Sequence, residues 1–86
     1  MNKKILKFYS PTCGPCKVMS NNLKEVTDAT GIEVQEIDIT DEAIQSILDE
    51  YKVRMVPTVV IVNSEGKTQE FKGVVSAQKI IEALNE

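Results

Sequence analysis

The sequence predicts an α/β domain: a four-stranded mixed sheet with helices on both faces, in the order β-α-β-α-β-β-α. Three observations carry this. Short strand-like apolar runs alternate with stripes at the i, i+3, i+4, i+7 spacing of a half-buried helix. A helix separates the first two runs, which makes those strands parallel through a right-handed crossover. Only the turn "NSEG" separates the last two, which makes them an antiparallel hairpin. At 86 residues the chain is read as one domain, 1–86, and with 42% of residues hydrophobic it can build a minimal core.

Each element has its own signal. Residues 4–9, "KILKFY", form a first strand with few polar positions, as expected when both faces are covered. A helix starts near Cys13, because Cys16, Met19, Leu23 and Val26 mark one buried face, and Gly31 stops it. Residues 33–39, "EVQEIDI", are more polar and belong at a sheet edge. Thr40 or Asp41 caps the next helix, whose apolar stripe is Ile44, Ile47, Leu48 and Tyr51. The β-branched run "TVVIV", residues 58–62, suits a central strand. Gly66 closes the turn before the edge strand 67–72. Ser76 caps a last helix with Ala77, Ile80, Ile81 and Leu84 on its buried stripe.

Composition excludes some functions. A net charge of −3 argues against a nucleic-acid partner, since phosphate binding needs a basic surface. No apolar stretch reaches the length of a membrane span. The opening "MNKKILKFYSP" is basic like a secretory leader, but its apolar part is short and Lys7 interrupts it. It reads as a strand, and the protein as cytoplasmic and monomeric.

The chemistry lies in "PTCGPCKV", residues 11–18, which holds both cysteines of the chain. A bridge between such near neighbours closes a tiny loop and constrains little of the unfolded chain. The bland reading makes both cysteines small buried hydrophobes. The chemical reading starts from their place at a strand-to-helix junction. Free N–H groups and the helix dipole concentrate positive potential there and stabilise a thiolate. Cys13, at the loop end, is then the exposed attacking thiol. Cys16, one turn on, shares the stripe of Met19 and Leu23, is therefore partly buried, and resolves the mixed disulfide. Gly14 admits a substrate chain, and Pro15 stiffens the first turn without costing a hydrogen bond. Pro57, before the buried strand, reads by itself as an ordinary strand start.

Together, "CGPCK" at 13–17, "YKVRMVPT" at 51–58 and Gly73 after the last strand resemble the thioredoxin family, over nearly the whole chain. The chain looks like a minimal thioredoxin fold that begins at the family's central strand, without the usual leading strand and helix. The resemblance implies a protein-disulfide reductase working through Cys13 and Cys16. In thioredoxin itself the attacking cysteine titrates near 7 rather than about 8.5. The resemblance also implies a cis Pro57 beside the cysteines and strand-like pairing of a substrate segment with the Val56 backbone. Pro11, Thr12, Gly14, Pro15, Met55, Val56 and Val74 would form the docking rim. The implied partners are disulfide-containing proteins and an NADPH-dependent flavoprotein reductase, with no cofactor held by this chain.

Two positions depart from that family. Thr12 stands where a tryptophan is usual, and Lys7 where a buried acid usually helps to deprotonate the resolving cysteine. The favoured reading of Lys7 is a stem along the core with its ammonium reaching water. The alternative puts its charge near Cys16, where it would stabilise a thiolate. Glu36 and Asp38, on the neighbouring strand, read as solvated carboxylates. A glutaredoxin-like reductase drawing on glutathione competes with the leading reading, as does a binding module whose cysteines are incidental. Zinc would need two chains, because two thiolates and no histidine fall short of four ligands.

Overall fold

A computed structural model describes residues 3–85. The elements are β1 (Lys4–Tyr9), α1 (Gly14–Thr30), β2 (Val34–Asp38), a 3-10 turn (Glu42–Ile44) leading into α2 (Gln45–Tyr51), β3 (Thr58–Val62), β4 (Thr68–Lys72) and α3 (Ala77–Leu84). The sheet order is β2-β1-β3-β4. β1 and β2 are parallel, whereas β1–β3 and β3–β4 are antiparallel. This is the mixed four-stranded sheet that the sequence predicts, with β2 and β4 at the edges.

The period-2 alternation of β1 and β3 divides the core in two. Ile5, Val59 and Ile61 pack with Met19, Leu23 and Val26 of α1 and with Ala77, Ile80 and Leu84 of α3. Leu6, Phe8, Val60 and Ile37 face the other way, toward Ile44, Ile47, Leu48 and Tyr51. Helices therefore cover both faces. The Phe8 and Tyr51 rings meet tilted, 6.1 Å between centroids. Each fully buried apolar side chain contributes roughly 1.5–3 kcal/mol.

Local signals end the elements where expected. Gly31 takes φ 76° at the α1 C-cap and donates to the Thr27 carbonyl at 2.8 Å. Asp41, not Thr40, caps the 3-10 turn, through the Ala43 N–H. Ser76 caps α3 through the Lys79 N–H. One detail differs from the sequence reading. Ile81 is half-buried, because the α3 stripe is centred on Ala77, Ile80 and Leu84. The stripe of Ile44, Ile47, Leu48 and Tyr51 is also only half-buried, since α2 is a two-turn helix laid on one side of the sheet.

Candidate functional site

Register gathers the site at one end of the sheet. Phe8 pairs with Thr58 and Thr58 with Lys72, so the end of β1, the start of β3 and the end of β4 lie side by side. The loop carrying Cys13, the turn carrying Pro57 and the bend carrying Val74 leave from these neighbouring points. The Gly73 N–H donates to the Pro57 carbonyl at 2.9 Å, tying the last two together. Asn22 Nδ2 donates to the Val75 carbonyl at 2.9 Å, and the Val75 N–H reaches Met19 Sδ at 3.3 Å. The bend after β4 is thus fastened to α1, the helix that carries Cys16.

Cys13 and Cys16 are joined as a disulfide, with Cα atoms 5.3 Å apart. Cys13 is the N-cap of α1, and its Sγ accepts the Cys16 N–H at 3.2 Å. A backbone dipole therefore points at this sulfur, and negative charge on it would be stabilised. Cys13 is half-buried rather than fully exposed, and Cys16 is 3% exposed, more deeply buried than the sequence reading placed it. Pro15 occupies the first turn, where no helical hydrogen bond is lost. Gly14 is helical although a proline follows, a conformation that the proline ring disfavours for any residue with a Cβ. Glycine removes the Cβ part of that conflict.

The other predicted site residues fall as follows. The Val56–Pro57 peptide is cis, and Pro57 is buried. Thr58, also buried, donates its hydroxyl to the Met55 carbonyl at 2.7 Å. Pro11, Thr12, Gly14 and Pro15 are exposed, and Val56 is half-buried. Met55 and Val74 are 45% and 49% exposed, which makes them two of the three large hydrophobic side chains left exposed among the described residues.

Lys7 corrects the sequence reading. It does not reach open water: the residue is 2% exposed. Its Nζ donates to Ser20 Oγ and, at 3.1 Å, to Glu36 Oε1, and lies 5.5 Å from the Tyr9 ring centre. Desolvating an ammonium is costly unless acceptors replace water, and these partners replace it. Glu36, read as merely solvated, is the counter-ion; its side chain is 55% exposed. Sequence reasoning missed it, although parallel register places Lys7 opposite Glu36. Asp38 plays no part in the cluster. It accepts from the Thr40 hydroxyl and the Thr40 N–H, which hold its carboxyl below the usual carboxylate range.

A cleft of about 220 Å³ brings together Lys7, Tyr9, Cys13, Cys16, Lys17, Ser20 and Glu36. A larger hollow of about 540 Å³ lies at the opposite end of the sheet, between the starts of β1 and β2, and holds no sulfur. No group of three or more metal-ligating side chains occurs among the described residues. No helix among them is long and apolar enough to cross a membrane.

The thioredoxin family model matches residues 1–86. The chain belongs to the thioredoxin family. Its similarity to chloroplastic thioredoxin Y of Oryza sativa is 30% identity over 80 residues, covering 93% of this chain and 48% of that protein. A thioredoxin-like protein of Synechocystis is 26% identical over 80 residues, covering 93% of this chain and 76% of the relative. A solved thioredoxin variant from Halobacterium salinarum superposes with a TM-score of 0.82 at 25% identity, covering 96% of this chain and 72% of that one. The chain spans about half the length of the thioredoxin Y relatives it matches. Within the family, the Cys13–Cys16 bridge stands at the junction where its thiol chemistry was expected.

Proposed function

We propose that this chain is a thiol–disulfide oxidoreductase that reduces protein disulfides through Cys13 and Cys16. One observation carries the reading: two bridged sulfurs straddle the first turn of α1, one at the half-exposed cap and the other buried beneath it. In the reduced protein the Cys13 thiolate attacks a substrate disulfide. A Cys13–substrate bond forms, and the first substrate thiolate leaves with the electron pair and takes a proton from water. Cys16 gives up its proton, attacks Cys13 Sγ and forms the Cys13–Cys16 bond, while the second substrate thiolate departs. Two electrons pass from the dithiol to the substrate, and no cofactor on this chain takes part.

The rim of Pro11, Thr12, Gly14, Pro15, Met55, Val56 and Val74 receives an extended substrate segment around Pro57. The exposed apolar surface of Met55 and Val74 supports this. Electrons come from an NADPH-dependent flavoprotein reductase, and the protein works as a monomer in the cytoplasm.

Insulin reduction with dithiothreitol as electron source tests the reading. The wild type should accelerate precipitation of the insulin B chain, and Cys13→Ser should abolish the acceleration. Full activity in Cys13→Ser would sink the assignment. Turnover with thioredoxin reductase and NADPH, compared with glutathione, separates this reading from a glutaredoxin-like one.

A further inference from the structure

Among the described residues, the exchange cycle leaves the buried charged group Lys7 unused. Lys7 sits on the face of β1 that meets α1 and lines a cleft with the two cysteines. Its contact with α1 is Ser20, which follows Cys16 by four residues. Side chains four apart on a helix are neighbours, about 5–6 Å between Cβ atoms. The ammonium therefore borders the stretch of α1 next to the Cys16 turn, and Lys7, Ser20, Cys13 and Cys16 line one cleft. An ammonium has three donors. Ser20 and Glu36 take two, and Glu36 does so from the solvent side, at the edge strand β2. The charged or titrating groups around Cys16 are Lys7 and Tyr9 from β1, Glu36 from β2, and Cys13 and Lys17 at the start of α1.

We propose, resting on the thiol–disulfide reading above, that Lys7 is a positioning residue for the resolving step: its buried ammonium favours the anionic form of the Cys16 sulfur, and Glu36 damps that field from outside. The step it serves is the Cys16 attack on Cys13 Sγ. The Cys16 proton passes to water, the Cys13–substrate bond breaks, and the leaving thiolate carries the electron pair away. Lys7 exchanges no proton and forms no bond.

The size of the effect follows from two opposed terms. An opposite charge within about 4–6 Å changes an ionisation constant ten- to a thousandfold; Lys7 acts across a shared cleft and Glu36 offsets part of it, so the low end, about tenfold, is taken. A thiolate made about tenfold more abundant is also about threefold less nucleophilic, given a Brønsted slope near 0.4–0.5. The net gain at neutral pH is about threefold, and it shrinks as pH rises and the thiol ionises unaided.

The test mixes the reduced protein with an aromatic nitrothiobenzoate disulfide and follows two-phase release of the coloured thiolate. The first phase reports Cys13 attack and the second reports Cys16 resolution. Lys7→Met should slow the second phase about threefold at neutral pH, with the gap narrowing as pH rises. Glu36→Gln should change it in the opposite direction, and Lys7→Arg should restore most of the rate. An unchanged second phase in Lys7→Met, or one slowed by the same factor at every pH, overturns the proposal. Should Lys7→Met not fold, Glu36→Gln decides: a faster second phase supports the proposal, and an unchanged or slower one refutes it. Loss of the first phase in the wild type would instead sink the exchange reading itself.

Discussion

Gly73 offers a clean separation of backbone strain from contact. It follows β4 with φ 81°, and its N–H donates to the Pro57 carbonyl at 2.9 Å. A Cβ built there meets no atom within 4 Å beyond its chain neighbours. In Gly73→Ala the whole cost is therefore the left-handed backbone, about 1–2 kcal/mol for a residue with a Cβ. In a domain of 60–100 residues, about 1 kcal/mol lowers Tm by roughly 4–8 °C, so Gly73→Ala should lose at least that. Gly73→Asn should lose less, because asparagine tolerates this region better. Thermal unfolding of the oxidised protein, followed by circular dichroism, reads both values. A second measurement links the strain to the site. Any relaxation at residue 73 shifts its neighbour Val74, so reduction of insulin should fall while attack on a small aromatic disulfide is retained. An unchanged Tm in Gly73→Ala, or equal losses for Ala and Asn, would refute the strain argument.

Two further outcomes follow from the core and from one carboxylate. Met19 is fully buried between Ile5, Leu23, Val59 and Ile80, so Met19→Ala should cost about 2–5 kcal/mol in urea unfolding. The volume-conserving Met19→Leu should cost less than about 1.5 kcal/mol, which still includes loss of the sulfur that accepts the Val75 N–H. Asp38 has a folded pKa below its unfolded value of about 3.9, set first by the Thr40 hydroxyl and then by the Thr40 N–H. Its contribution to stability is therefore complete above that unfolded value and is lost as pH falls through the folded one. Carbon-detected NMR titration should find the Asp38 carboxyl ionising below its usual range, and Thr40→Val should move it back up.

The sequence shows most clearly what repeats. Cys16, Met19, Leu23 and Val26 recur at helical spacing, and all four are buried, because the period itself defines a face. The junction of Cys13 with α1 is equally local: a loop, a cap and a proline in the first turn place one sulfur at the helix entrance. Lys7 is different, since its surroundings come from three elements. Read alone, a lysine in an apolar strand belongs at the surface. What decides its fate is the parallel register, in which Ile5 faces Val34 and Phe8 faces Ile37, so that Lys7 must face Glu36. The sequence alone leaves that register open, because pairing Leu6 with Ile37 and Phe8 with Ile39 would also align apolar residues and would set Lys7 opposite Asp38 instead. The Ser20 contact was not within reach, since it depends on how far α1 is rotated over the sheet, and that is fixed by Met19, Leu23 and Val26 packing against Ile5, Val59 and Ile61. Core packing thus sets the rotation that carries Ser20, and with it the Cys16 turn, onto the one buried charged side chain among the described residues. A substitution in this cluster that rotates α1 would move the sulfurs relative to Lys7 without touching either.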